Sequence, residues 1–125
     1  MREIVLVLPL PPATLSPNAR VHVLDRAKAA RLVREDTRRL ARSALAEQGL
    51  DEPRWARALV RYRWRASRGP MPDPDNLIAR CKPVLDGIVA AGALASDRDV
   101  TISVEYERVA TKRDEGLVVV VSAEG

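Results

Sequence analysis

The sequence predicts a small α+β domain in which one mixed sheet carries packed helices, with the element order β-α-β-α-β-β. Two segments place apolar residues at a helical spacing, which indicates two amphipathic helices. Four shorter segments are continuously apolar or alternate apolar with polar residues, as strands do. The length of 125 residues leaves room for one domain, spanning 1–125.

The first two predicted elements are a short strand and a long helix. Residues 4–8 form an apolar run of β-formers, which predicts a buried strand that Pro9 ends. A loop leads to a helix over 25–48, with Asp25 as its N-cap and Gly49 as its C-terminal stop. The predicted apolar side of this helix consists of Ala29, Leu32, Val33, Leu40, Ala41, Ala44 and Leu45.

The segment 57–67 is the clearest strand, because its residues alternate in character. One face carries Ala56, Ala58, Val60, Tyr62, Trp64 and Ala66. The other face carries Arg57, Arg61, Arg63 and Arg65. No acidic residue occurs between Arg54 and Arg68, so this strand predicts a basic face that is either solvated or bound to a polyanion.

The second helix is predicted over 76–91, after a proline-rich loop, and Gly92 ends it. Its apolar stripe consists of Leu77, Ile78, Cys81, Val84, Leu85 and Ile88. Pro83 lacks a backbone donor and clashes with the preceding turn, so we expect a kink or a short turn before the main helix. An alternating strand over 100–109 and a buried strand over 117–121 complete the predicted sheet.

The composition narrows the class of partner. The chain has 21 Lys and Arg residues against 17 Asp and Glu residues, a net charge of +4, which suits a polyanion. Its single cysteine, Cys81, excludes an internal disulfide, and its place on the apolar stripe predicts a core residue. No apolar run approaches the roughly 20 residues that span a bilayer. We therefore expect a soluble protein of the cytoplasm, without membrane association.

A few acidic residues are placed so that they could converge. Asp73 and Asp75 stand at the start of the second helix, and Asp97 arrives on the turn after it. If that helix is continuous, at about 100° per residue, Asp75, Lys82 and Asp86 lie within about 20° of one another, opposite the apolar stripe. Convergent carboxylates need a cation between them, and a few carboxylates with open positions suit Mg²⁺. Zinc is not expected, because there is no cluster of His and Cys.

Each part of this pattern also has an ordinary structural explanation. Asp75 could cap the helix, and Lys82 could be a solvated partner of Asp86, four residues later. Asp97 could belong to a polar turn before the next strand. His22 is expected to be a solvated loop residue, since no Ser or Cys arrangement accompanies it.

Several short motifs occur in order along nearly the whole chain. They are Leu8-Pro9-Leu10-Pro11-Pro12 with Asn18 a few residues on, Asp73-Pro74-Asp75-Asn76, Lys82, Asp86-Gly87, Ala91-Gly92 and Asp97-x-x-Val100. This combination resembles the RusA family of Holliday junction resolvases, found in phages and prophages. The resemblance implies a homodimeric, metal-dependent endodeoxyribonuclease that cuts four-way DNA junctions in recombination and repair, with Mg²⁺, or alternatively Mn²⁺, as its cofactor.

The resemblance also implies roles for individual residues. Asp73, Asp75 and Asp97 are expected to be the catalytic, metal-binding carboxylates. Lys82 is similar to the family's essential lysine, with Arg80 as the alternative for that role.

The residues expected to contact DNA are Arg61, Arg63, Arg65, Arg68 and Asn76. The chain departs from the family at two places in the motifs. Ser96 stands where the family often has a second acid, although Asp99 could supply that charge, and Pro72 stands where a basic residue often precedes the first aspartate. The chain has no Phe to act as an aromatic wedge.

Two other functions fit the sequence. One is a catalytically degenerate protein that binds branched DNA without cutting it. The other is a protein-interaction domain with a generic basic surface. A nucleotide-sugar transferase that uses Asp-x-Asp to bind metal fits poorly, because 125 residues leave little space for donor and acceptor sites.

Overall fold

A computed structural model describes residues 2–124 and confirms the α+β class and the predicted element order. The four strands form one sheet with the order β1-β4-β2-β3, in which only the β2–β3 pair is parallel. Short 3-10 turns occupy Ala13–Leu15 and Lys112–Asp114. The main elements are β1 (Glu3–Leu8), α1 (Val23–Glu47), β2 (Ala58–Ala66), α2 (Pro74–Arg80), α3 (Lys82–Ala90), β3 (Val100–Arg108) and β4 (Gly116–Ala123).

The helices cover one face of the sheet and leave the other face open. On β2 the predicted inner face is buried from Ala58 to Ala66, while Arg61 and Arg63 are exposed. The core between sheet and helices also contains the stripe of α2 and α3, including Leu77. Within residues 2–124 the structure has no helix of the length and apolar character that crossing a bilayer requires.

The prediction of a wholly buried first strand is wrong. Burial alternates along β1, and Val5 and Val7 are 51% and 67% exposed. These valines lie on the open face, where no helix covers them. A continuous apolar run therefore marks a half-buried strand here, because the run does not show how many faces of the sheet are covered.

The long helix α1 begins two residues earlier than predicted. The Nδ1 atom of His22 accepts a hydrogen bond from the Leu24 amide at 3.1 Å, so His22 is the N-cap and Asp25 lies in the first turn. The predicted end is confirmed, because Gly49 follows the helix with a φ of +72°.

The buried strip of α1 is narrower than predicted. Leu32 and Leu40 are 57% and 42% exposed, whereas Thr37 is fully buried. The hydroxyl of Thr37 donates a hydrogen bond to the Val33 carbonyl at 2.8 Å, so this buried polar group has a partner. The helix rests mainly on α3 and β1, so only one side of it meets the core.

The expected interruption of the second helix is confirmed as a complete break. Cys81 ends α2 and precedes α3, with φ and ψ of −90° and 5°, and Pro83 lies in the first turn of α3. A proline there cannot donate to the preceding turn, so α2 ends before it. Gly92 closes α3 as predicted, with a φ of +85°.

Gly87 is a point of close approach between α1 and α3. A Cβ atom at this position would lie 2.6 Å from the Arg34 carbonyl oxygen and 2.7 Å from the Cβ of Thr37. The absence of a side chain therefore lets α3 pack directly against the backbone of α1. This contact positions Asp86, the residue before it, beside the Arg34 segment of α1.

Candidate functional site

Lys82 joins two of the acidic positions that the sequence analysis singled out. Its Nζ atom donates to Oδ1 of Asp86 at 2.9 Å and to Oδ2 of Asp97 at 2.7 Å. The first contact is the i to i+4 pair expected within α3. The second spans the turn that leads to β3, so it depends on the tertiary fold.

The charges of this cluster stabilise one another. The hydrogen bonds that Lys82 donates to Asp97 and to Asp86 raise the pKa of Lys82 above its ordinary value. The hydrogen bond from Lys82 is also the main cause of a lowered pKa at Asp97. At neutral pH Lys82 is therefore a cation and Asp97 an anion, so Lys82 supplies positive charge and hydrogen-bond donors and does not accept a proton.

An open cavity of about 560 Å³ adjoins this cluster. Asp86 and Asp97 line one part of it, and Arg34 of α1 lines another. Ser96, the residue that departs from the family pattern, also faces this cavity. The cavity thus brings two carboxylates and an arginine from separate elements to one place, with Lys82 bound to both carboxylates.

Asp73 is held by its role as the N-cap of α2. Its Oδ1 atom accepts a hydrogen bond from the Asn76 amide at 2.8 Å, and Pro74 occupies the first turn. Tyr106 of β3 holds the preceding residue, because its hydroxyl donates to the Pro72 carbonyl at 2.7 Å. The phenol is close enough to Asp73 that the carboxylate, after partial burial, helps to raise the pKa of Tyr106.

The helix is not continuous from Asp75 to Lys82 and Asp86, so the spacing that predicted one shared face for these residues does not apply. Asp75 lies exposed in the first turn of α2, whereas the other two residues lie on α3, beyond the break at Cys81. The angle of about 100° per residue cannot be carried across that break. The alternative that Asp75 caps the helix is also wrong, since Asp73 is the cap.

The carboxylates near Lys82 match the ligand set of a metal site only in part. Within residues 2–124 no three acidic, His or Cys side chains lie close enough together to enclose a metal ion. That Asp73, Asp75 and Asp97 bind one metal ion together therefore stays a prediction. Mg²⁺ commonly binds through one or two carboxylates together with waters and substrate phosphates. The carboxylates of Asp86 and Asp97 fit that donor chemistry, with one oxygen of each already bound to Lys82.

Two arginines on the open face of β2 are paired with glutamates, although no acid lies near them in the sequence. Arg63 lies 3.1 Å from Glu105, and Arg65 lies 3.3 Å from Glu107. The parallel register places these glutamates of β3 directly opposite the arginines. Arg61 pairs instead with Ser103 and Val120, and it has no carboxylate opposite it.

The remaining predicted DNA contacts lie elsewhere. Arg68 and Asn76 line a second cavity together with Arg80. Arg80 donates to the Pro11 carbonyl at 2.9 Å and does not join the aspartates. Of the two candidates for the lysine role, Lys82 is therefore the one that contacts Asp97.

Three features of the site were missed from the sequence. Arg34 lies in the predicted helix without any signal of a role, and the close packing at Gly87 places its segment beside the cavity. Tyr106 lies in the strand predicted over 100–109, and no local signal marks its bond to Pro72. The placement of Glu105 and Glu107 on one face of β3 was the available signal for their ion pairs with the arginines of β2. That signal could be used only with the register between β3 and β2, which the sequence does not contain.

Comparisons with known proteins identify no function for this chain. No protein-family model matches the chain. A protein of Xylella fastidiosa (strain Temecula1) is 38% identical to the chain over 96 residues and is described only as an uncharacterized protein. The match covers 77% of this chain but 62% of that protein, so the chain spans less than two thirds of the relative's length.

Proposed function

We propose that this protein is a Mg²⁺-dependent, structure-selective endodeoxyribonuclease of the RusA type that resolves four-way DNA junctions. The observation that carries the proposal is the contact of 2.7 Å between Lys82 and Asp97. These residues were expected to act together from the sequence motifs, and they meet beside a cavity that also holds Asp86 and Arg34.

The residues of the cavity have distinct roles in this proposal. Lys82 and Arg34 supply positive charge for a DNA phosphate, which would otherwise be repelled by the neighbouring carboxylates. Asp97 and Asp86 would hold the divalent cation, and Asp73 and Asp75 would reach it from the start of α2 only through bound water, since no three acidic groups within residues 2–124 lie close enough together to enclose a metal ion. When bound, Mg²⁺ lowers the pKa of a coordinated water and stabilises charge on the phosphate.

Two symmetric incisions are needed to resolve a four-way junction. A dimer with two-fold symmetry would present two equivalent sites, and it would match the symmetry of such a substrate. We therefore include a homodimer in the proposal. Binding through phosphates predicts an affinity that falls steeply with salt, by a log–log slope of about −0.9 per phosphate neutralised.

The deciding experiment is cleavage of synthetic four-way junctions, compared with linear duplex of the same sequence, with Mg²⁺ and with EDTA. We expect Mg²⁺-dependent cutting of the junction only. Asp75→Asn and Asp97→Asn should abolish cutting and retain junction binding. Asp51→Asn, the same change at an exposed position outside the cavity, is the matched control and should cut at the wild-type rate. A wild-type rate in Asp97→Asn would show that the proposed site is wrong.

A non-cleaving protein that binds branched DNA is the second candidate. It is favoured by the lack, within residues 2–124, of three acidic groups close enough to enclose a metal ion. This candidate predicts junction binding that is equal with Mg²⁺ and with EDTA, and no incision under either condition. The cleavage experiment distinguishes it directly from the nuclease.

A further inference from the structure

A second cavity, of about 370 Å³, lies between the end of β2, the start of α2 and the N-terminal proline-rich loop. Trp64, Arg68, Asn76 and Arg80 line it, and none of them lines the cavity beside Lys82. Its volume lies within the usual range of small-ligand sites, about 300–1,000 Å³.

Arg80 forms a fixed, flat surface in this cavity. Its guanidinium carbon lies 4.9 Å from the centre of the Trp64 ring, and its Nε atom donates to the Pro11 carbonyl at 2.9 Å. The planar group is therefore restrained on one face by the indole and along one edge by the backbone. Partial burial lowers the pKa of Arg80, and no carboxylate within residues 2–124 contributes to that shift.

The rest of the cavity lining combines apolar walls with polar groups of both kinds. Leu10 and Met71 supply apolar surface, and the amide of Asn76 offers a donor and an acceptor. The amide is oriented by Ser16, whose hydroxyl lies 3.2 Å from its Nδ2 atom. Glu115 is the one acid that lines the cavity, and its Oε2 atom is already bound by the amide and hydroxyl of Ser67 at 2.7 Å.

This lining suits a flat heterocycle better than a phosphate alone. A base can stack on the guanidinium plane of an arginine, and its edge needs donors and acceptors such as an amide provides. A phosphate would use the charge of Arg68 and Arg80 but not the apolar walls. The cavity also adjoins the candidate site, because Pro72 lines it and Asn76 is bonded to Asp73.

We propose that this cavity receives one unpaired base of the branched DNA, stacked on the guanidinium of Arg80 and hydrogen-bonded to the amide of Asn76. The inference rests on the proposed function, since it assumes a branched DNA substrate. Bases at a branch point are already partly unstacked, so their extrusion costs less than it would in a duplex. The extruded base would fix the position of the adjoining backbone next to Asp73.

The test is a scan of abasic sites through the branch point of a synthetic four-way junction, with binding measured in EDTA. An abasic site removes the base but keeps the phosphate. We expect one branch-point position at which the abasic site weakens wild-type binding by about tenfold, the typical effect of one stacked base. Arg80→Lys keeps the charge but removes the plane, so it should be insensitive to the same abasic site. Arg31→Lys, at an exposed position of α1 that lines neither cavity, is the matched control and should keep the tenfold sensitivity.

The outcomes separate this inference from the proposed function. Junction-selective binding with no sensitive position in the wild-type scan would overturn the base site and leave the nuclease proposal standing, and it needs no variant that could misfold. Equal sensitivity in Arg80→Lys and Arg31→Lys would place the base elsewhere and also overturn the base site. Loss of junction selectivity altogether would overturn both proposals.

Discussion

The hydroxyl of Tyr106 donates a hydrogen bond of 2.7 Å to the carbonyl oxygen of Pro72, so the edge strand β3 holds the residue before Asp73. This bond connects a partly exposed strand residue to the loop that leads into α2. It complements the capping bond from the Asn76 amide to Asp73. The position of the first aspartate therefore depends on two bonds from different elements.

Tyr106→Phe removes the first of these bonds without changing the ring. We expect a small loss of stability, about 0.5–1.5 kcal/mol, because one hydrogen bond at a partly exposed site is lost. We also expect slower junction cleavage with unchanged junction affinity, measured by single-turnover rates and by binding in EDTA. Ser103→Ala on the same strand is the control. Equal cleavage by both variants would mean that the Tyr106 bond does not position Asp73.

Gly87→Ala reverses the usual effect of replacing a helical glycine. Ala is normally favoured in a helix by about 1 kcal/mol. At Gly87 the added Cβ would lie 2.6 Å from the Arg34 carbonyl, so α1 and α3 must separate. We expect destabilisation of about 1–3 kcal/mol, the usual cost of overpacking. Chemical denaturation measures it, and an increase in stability would contradict the packing.

Gly49→Ala provides the comparison for that variant. Nothing lies within 4 Å of a Cβ at Gly49, but its φ of +72° disfavours any side chain. Gly49→Ala should therefore lower the free energy of unfolding by about 1–2 kcal/mol, and its structural effect should stay local. A junction-cleavage assay should distinguish Gly49→Ala from Gly87→Ala, because only Gly87→Ala disturbs the cavity between α1 and α3.

The pair of Lys82 and Asp97 should stabilise the protein within a defined pH window. The lowered pKa of Asp97 means that its contribution is present above its ordinary value of 3.8 and is lost as the pH falls through the folded value. The raised pKa of Lys82 means that its contribution is lost only as the pH rises above 10.5 and through its folded value.

Asp97→Asn tests this window. Thermal melts from pH 2 to 7 should show a lower Tm for the variant at pH 7, a difference that narrows below about pH 4. The effect should be small and reduced by salt, because all three side chains are well exposed. A difference in Tm that stays constant down to pH 2 would contradict an ionised pair. Asp99→Asn, in the same turn, is the control.

The arginines of β2 should differ in their effect on DNA binding. Arg63 is paired with Glu105, whereas Arg61 has no acid opposite it in β3 or β4. We expect Arg61→Ala to reduce the salt slope of binding by about 0.9, the value for one phosphate contact. Arg63→Ala should change it less. Equal effects on the slope would mean that DNA displaces Glu105 from Arg63.

The sequence predicted the strands of this fold to within one or two residues, and on β2 the alternation also identified the buried face. The prediction failed where the outcome depends on a neighbour distant in the chain. The burial of Leu32 and Leu40 depended on what α1 would pack against. The acids opposite Arg63 and Arg65 come from a strand about 40 positions away, through a register that no local pattern contains.

Only part of the candidate site could be predicted, because some of its contacts also join residues that are distant in the chain. The pairing of Lys82 with Asp86 follows from helical spacing, and it is present. The contact of Lys82 with Asp97 was expected only from a motif resemblance, because the course of the intervening turn cannot be derived from periodicity. Asp75 was misplaced because a proline was expected to bend the helix, whereas the chain breaks completely at Cys81.

The position of β4 in the sheet has a consequence for the order of folding. Although β4 is the last strand in sequence, it lies between β1 and β2 and supplies every strand partner that β1 has. A nascent chain that emerges at about 5–20 residues per second can therefore pair β2 with β3, but β1 stays without a partner until β4 leaves the ribosome. Ribosome-bound chains that end before Gly116 should thus leave the backbone donors and acceptors of β1 unpaired and accessible to chaperones.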